Sequence, residues 1–211
     1  MKAGRYYVLM ADIVGSRDSV DSVKLANSFG DLVSNCNEIY KDEMVSPLTI
    51  TLGDEFQGVI KNECSAYKII SWIEENRWKK EVPIVLRYVL EFDNIETEIN
   101  EDVAYGMMGP ALTNARHNLM SLKEKGEWMD VGKKIEESEL KKIQLNLYLS
   151  HTRNWKWSDK DLIEGFLDSM DYKEVAEKLN KNRSLMWKRY NSLEIDKYFK
   201  LKRSLELLLC S

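Results

Sequence analysis

The chain has 211 residues, 31 Lys/Arg against 35 Asp/Glu for a formal net charge of −4, and 44% hydrophobic residues. That is enough apolar content for a core and too much for global disorder. No apolar run approaches the ~20 residues of a membrane span, so no membrane partner is expected. The N-terminus shows no long apolar stretch followed by a small-residue cleavage site. Cys36, Cys64 and Cys210 are widely scattered and form no CxxC pair, which predicts reduced thiols and a cytoplasmic location. Charge is uneven: residues 151–211 carry 13 Lys/Arg and 10 Asp/Glu, whereas residues 1–150 carry 18 and 25. A mildly basic tail on an acidic body points to two domains with different partners.

In chain order, Arg5–Ile13 reads as a buried strand ended by a Gly-Ser break. Ser19–Tyr40 has apolar residues at helical spacing. Pro47–Leu52 and Phe56–Ile60 flank Gly53-Asp54 and predict a hairpin. Asn62–Trp78 is helical again, and Val82–Phe92 is a strand. Asn94–Ala104 is acidic and unpatterned, so it is expected to be a loop. Gly109–Lys125 opens on Gly-Pro, a favourable helix start. Glu127–Val131 is a last short strand. The order β-α-β-β-α-β, then α-β, predicts an α+β ferredoxin-like sandwich over residues 1–135. From about Glu136 every segment is helical, which predicts a small all-α domain over residues 136–211.

Two short segments carry the chemistry. Asp12-Ile13-Val14-Gly15-Ser16-Arg17 follows the first strand, and Leu52-Gly53-Asp54-Glu55-Phe56 sits at the hairpin turn. Carboxylates brought together at matching strand ends suit a hard divalent cation, Mg²⁺ or Mn²⁺, which keeps its other positions for phosphate oxygens. The expected metal ligands are Asp12, the Ile13 backbone carbonyl, Asp54 and Glu55. Gly15, Ser16 and Arg17, at an expected helix start, are candidates for the phosphates of a nucleoside triphosphate or related nucleotide. Taken singly, Gly-Asp is a common hairpin turn and Asp-x-x-Gly-Ser a helix cap; the pair together favours the metal reading.

Asp-Ile-Val-Gly-Ser resembles the first metal-binding segment of class III nucleotidyl cyclases, and Leu-Gly-Asp-Glu-Phe their second; the latter also resembles GGDEF-type diguanylate cyclases. Tyr105-Gly-Met-Met-Gly-Pro-Ala-Leu-Thr-Asn-Ala-Arg116 is similar to the cyclase segment Gly-Pro-x-Val-Asn-x-Ala-Ala-Arg. With the helical C-terminal part, the whole looks most like the SatD family. The resemblance implies a nucleotidyl cyclase-like fold, a Mg²⁺ or Mn²⁺ cofactor and a site completed across a homodimer. It also shows departures. The cyclase asparagine and arginine positions hold Thr113 and His117, leaving Asn114 and Arg116 as displaced catalytic candidates. Ile50 stands where a base-reading lysine is expected. The metal half of a cyclase site is kept and the catalytic half altered.

Residues 171–193 have helix-turn-helix spacing: Asp171 and Ser184 as caps, Ala176 at the helix crossing, Asn180 at the turn, and Met186 and Tyr190 facing inward. Lys178–Arg189 holds five basic residues and no acidic one, an electrostatic footprint for double-stranded DNA. Lys181, Arg183, Ser184, Trp187, Lys188 and Arg189 are the expected DNA-facing residues. Trp155, Trp157, Phe166, Tyr190, Tyr198 and Phe199 read as the small core of this part. The function expected from these features is a DNA-binding regulator whose N-terminal part senses a Mg-nucleotide. The alternatives are an active nucleotidyl cyclase or transferase and a non-catalytic dimerisation scaffold.

Overall fold

The computed structural model describes residues 1–210. Five strands form one mixed sheet: β1 (Gly4–Ile13), β2 (Met44–Ile50), β3 (Glu55–Ile60), β4 (Leu86–Ile95) and β5 (Met129–Val131), in the order β2-β3-β1-β4-β5. The first four strands pair antiparallel and β5 joins β4 in parallel. Helix α1 (Ser22–Ile39) follows β1, α2 (Glu63–Asn76) follows β3, and α3 (Pro110–Lys125) precedes β5. This is the expected ferredoxin-like connectivity with one strand added. Strand β4 begins at Leu86 rather than Val82; Pro83 offers no N–H to a ladder.

Strand alternation divides the sheet into two faces. Leu9, Ala11 and Ile13 pack with Phe29 and Leu32 of α1 and Ile69 and Ile70 of α2. Val8 and Met10 face the other way, against Ala111, Ala115, Leu119 and Leu122 of α3. Asp21 caps α1 by accepting from Lys24 N at 2.9 Å, and Asn62 caps α2 by accepting from Ser65 N at 2.9 Å. Pro110 opens α3 after Gly109, where φ is 149°. A Cβ on Gly109 would lie 2.6 Å from the Asn94 carbonyl oxygen. Only glycine lets the chain turn there against the end of β4.

The remaining helices are α4 (Ser138–Arg153), α5 (Lys160–Asp168), α6 (Tyr172–Lys178), α7 (Arg183–Ser192) and α8 (Ile195–Leu209). Their core is continuous with the α1/α2 side of the sheet: Leu145, Trp155, Phe166 and Leu205 belong to the same buried cluster as Ile69 and Leu90. Helix α8 is fastened to α2. Tyr67 donates to the Lys202 carbonyl at 2.8 Å and Tyr198 donates to Glu75 Oε1 at 2.7 Å. Asn146 of α4 accepts from the Trp128 and Met129 N–H groups at 3.0 and 3.1 Å, holding α4 beside β5.

Two expectations are corrected. Cys64 and Cys210 are not free thiols but a disulfide; Cys36 alone stays free, and it is buried. Cys64 lies in the first turn of α2 and Cys210 ends α8, so the antiparallel return of α8 along α2 joins residues 146 apart in sequence. Local spacing carries no trace of such a pairing. The cap of α7 is Asn182 rather than Ser184: its Oδ1 accepts from Ser184 N at 2.8 Å and Leu185 N at 3.2 Å. Asp171 caps α6 as expected, and Asn180 takes the left-handed conformation with φ 50°.

Candidate functional site

The β1–β3 ladder places Asp12 directly opposite Glu55. Both side chains share the sheet face of Val8, Met10 and Val59, the face covered by α3. Asp12 is 3% exposed. Its Oδ1 has no hydrogen-bond partner among the described residues and stands 3.4 Å from Arg87 Nε of β4. Its Oδ2 lies 2.9 Å from Lys123 Nζ of α3. Glu55, also buried, receives Arg116 Nη2 at 2.7 Å and the Thr51 hydroxyl at 3.1 Å, both on Oε1. Two carboxylates are thus met by three cations. Arg116 and Lys123 are seven residues apart, about two helical turns, and so project from one face of α3.

The Ile13 N–H donates to the Asp54 carbonyl oxygen at 2.8 Å, drawing the hairpin turn against the end of β1. The Asp54 carboxylate accepts the Ser16 hydroxyl at 2.5 Å, so the two sequence segments meet as expected. Gly15 (φ 70°) and Gly53 (φ 83°) supply the left-handed residues of the two turns. One detail differs. Gly15 leads into a single 3₁₀ turn, Ser16–Asp18, and α1 starts only at Ser22. Ser16 and Arg17 therefore flank a short turn rather than open the long helix; Arg17 is exposed.

Arg116 reaches this end of the sheet, and the other candidates on α3 do not. Asn114 Nδ2 donates to Asp93 Oδ2 at 3.3 Å on the β4 side of the helix, and His117 is exposed. Asn114 lines a separate polar cavity of about 520 Å³ with Glu91, Asp93, Asn118 and Lys134. There, the Lys134 ammonium, 2.6 Å from both oxygens of Asp93, holds that carboxyl below its usual range. Burial pushes Glu91 up, and Asp93 and Asp130 add to this.

The donor set at Asp12 fits a hard divalent cation. Carboxylate oxygens are the preferred ligands, and Asp12 Oδ1 is buried with no donor assigned to it. The cage is incomplete: among the described residues no three His, Cys, Asp or Glu side chains converge as metal ligands. An arrangement of this kind leaves coordination positions to a ligand's oxygens. Sequence reasoning missed Arg87 and Lys123. The signal for Lys123 was its two-turn spacing from Arg116; for Arg87, the strand parity it shares with Val89.

On the C-terminal side, Lys181, Arg183, Ser184, Trp187 and Lys188 are all exposed around the start and outer face of α7, whereas Met186 is buried. Arg183 pairs with Glu177 and Arg189 with Asp159. Neither Lys181 nor Lys188 has an acidic partner among the described residues. The Trp187 ring lies parallel to Tyr190, centroids 6.1 Å apart, and 5.2 Å from Tyr172. The expected aromatic core is present, with Trp155 and Tyr198 centroids 5.1 Å apart. No helix is long and apolar enough to cross a membrane among the described residues.

Among solved structures, the chain is similar to parts of nucleotidyl cyclases. For a bacterial light-regulated adenylyl cyclase, identity is 14% and the TM-score 0.44, over 62% of this chain and 44% of that one. For the dimeric guanylyl cyclase domain of the RhoGC fusion protein from the aquatic fungus Blastocladiella emersonii, the values are 17% and 0.42, over 55% and 74%. For the adenylyl cyclase CyaB from P. aeruginosa they are 12% and 0.41, over 57% and 74%. The chain thus spans less than half the length of the light-regulated enzyme. No curated protein sequence matches significantly. The profile of the SatD family matches residues 6–209, nearly the whole chain, and the protein belongs to that family.

Proposed function

We propose that this protein is a DNA-binding regulator that binds a nucleoside triphosphate with Mg²⁺ or Mn²⁺ at the Asp12–Glu55 end of its sheet. The observation that carries the reading is the meeting of the two segments: Asp12 opposite Glu55 in the ladder, and Ser16 hydrogen-bonded to Asp54. Asp12, Glu55 and Asp54 would hold the cation, whose chemistry is to neutralise and orient phosphate oxygens. Gly15, Ser16 and Arg17 line the same edge and would meet the phosphates. Residues 1–135 then form the nucleotide unit and residues 136–211 the DNA unit, read out from α7 by Lys181, Arg183, Ser184, Trp187, Lys188 and Arg189. A homodimer in the cytoplasm, bound to a twofold DNA site, completes the reading.

A second reading is an active nucleotidyl cyclase or transferase, favoured by the reach of Arg116 into the carboxylate pair. It ranks lower because Asn114 is engaged with Asp93, away from Arg116. Labelled DNA from the protein's own promoter, titrated with and without saturating Mg²⁺–nucleotide, tests the preferred reading. Nucleotide must change DNA affinity, and DNA must change nucleotide affinity by the same factor. Absence of DNA binding at low salt removes the regulator. DNA binding indifferent to every nucleotide removes the sensor and leaves the scaffold reading.

A further inference from the structure

We infer that Lys123, seconded by Arg116, is a built-in counter-ion that closes the carboxylate pair to a bare divalent cation and opens it to a cation–polyphosphate complex. The inference rests on the nucleotide reading above and names the form in which that site takes its ligand.

The argument begins with charge and burial. The carboxylates of Asp12 and Glu55 are deep in the sheet face, whereas Lys123 and Arg116 are about half exposed. A buried carboxylate needs a partner, because an uncompensated buried charge is strongly unfavourable. Lys123 supplies that partner to Asp12 Oδ2, and Arg116 supplies it to Glu55. With Arg87 Nε 3.4 Å from Asp12 Oδ1, the group already holds three cations for two carboxylates. A free divalent cation therefore meets no excess negative charge. Lys123 must leave Asp12 before Asp12 can serve such a cation, and a bare cation brings nothing for the displaced ammonium to bind.

A polyphosphate changes that balance. Its anionic oxygens accept the displaced ammonium and guanidinium in charge-assisted hydrogen bonds. The partners are exchanged rather than lost. Lysine suits this role: its compact charge rides on a flexible four-carbon stem at a half-exposed position, so it swings without moving α3. Arg87 is largely buried on β4, its side chain 13% exposed, and stays as the fixed cation. Lys123 is thus a ligand-binding residue absent from the motifs that pointed to the site. Its consequence is positive coupling between divalent cation and triphosphate.

The test measures Mn²⁺ uptake by the loss of its free-ion electron paramagnetic resonance signal, with and without inorganic tripolyphosphate and then a non-hydrolysable nucleoside triphosphate. Wild type, Lys123→Met and Lys123→Arg are compared after thermal melts show that each is folded. Wild type should bind Mn²⁺ alone poorly and bind it together with triphosphate more tightly by a factor of about 10–100. Lys123→Met should bind Mn²⁺ alone more tightly than wild type and lose most of that coupling. Lys123→Arg should retain it. Lys123→Met with wild-type affinity for Mn²⁺ alone and unchanged coupling overturns this inference while the nucleotide site stands. Wild type that takes up no Mn²⁺–triphosphate at all overturns the nucleotide reading, and this inference falls with it.

Discussion

Arg153 of α4 grips Glu74 of α2 with both terminal guanidinium nitrogens, Nη2 lying 2.8 Å from Oε1. Arg77 Nε donates to the other carboxylate oxygen at 2.9 Å, the Tyr88 hydroxyl donates to Oε1 at 2.9 Å, and the Thr152 hydroxyl approaches Oε2 at 3.3 Å. One buried carboxylate thus links the helix layer, the sheet and the first helix of the C-terminal part. Removing one partner of such a group leaves the others buried with unmatched charge. Glu74→Gln should therefore cost about 3–5 kcal/mol in denaturant unfolding. A loss below 1 kcal/mol would show that the network adds little.

The same carboxylate sets an acid limit. Burial alone would raise it, but Arg153 and Arg77 outweigh burial and hold it at about 2, against 4.5 for a free glutamate. A carboxyl depressed in the folded state binds more protons when unfolded, so its stabilisation is present above about pH 4.5 and drains away as pH falls toward 2. Wild type should lose stability steeply across that window. Glu74→Gln, less stable at neutral pH, should show a shallower acid slope; equal slopes would contradict the assignment.

The Cys64–Cys210 bond ties the two ends of a long loop, which should contribute about 2–5 kcal/mol by restricting the unfolded chain. Dithiothreitol should lower the melting temperature of wild type and leave a Cys64→Ser/Cys210→Ser protein unaffected. No shift in wild type would mean that the bond adds nothing to stability.

The ion pairs on α7 rank the basic residues. Arg183 and Arg189 already have Glu177 and Asp159 as partners, whereas Lys181 and Lys188 point to solvent. Lys181→Ala/Lys188→Ala should weaken DNA binding most and flatten the log affinity against log salt plot by about 0.9 for each phosphate no longer neutralised. Arg189→Ala should instead lower stability more than affinity. The reverse ranking would remove α7 as the DNA face.

Cyclisation should be absent or slow, because Thr113 and His117 replace the cyclase asparagine and arginine and Asn114 is bound to Asp93. Loss of one charge-stabilising donor costs about 10²–10³ in rate. Chromatography of each nucleoside triphosphate incubated with protein and Mn²⁺ checks this. Robust cyclic product, abolished by Asp54→Asn, would promote the enzyme reading.

Much of the fold was legible because the apolar periods are clear. The alternation along Val8–Ile13 separates two faces, and Leu25, Phe29, Leu32 and Cys36 mark one side of a helix. The meeting of the Asp12 and Asp54 segments was legible too, since a hairpin between adjacent strands brings its turn to a strand end. What was hidden is set by tertiary placement. Lys123 sits among ordinary surface lysines until α3 is laid antiparallel over β4. Cys64 and Cys210 are far apart until α8 returns along α2. Asn114 and Arg116, two residues apart, are turned about 200° from one another on a helix, and so serve different carboxylates.

The central claim is that one end of the sheet holds a divalent cation and a triphosphate together. Isothermal titration of each nucleoside triphosphate, with Mg²⁺ and with chelator, into wild type, Asp54→Asn and Asp12→Asn/Glu55→Gln measures it directly. The account predicts saturable binding, one nucleotide per chain, that requires Mg²⁺, weakens in the first variant and vanishes in the second while both remain folded. Binding of equal strength in all three proteins, or no heat from any nucleotide with wild type, would contradict it.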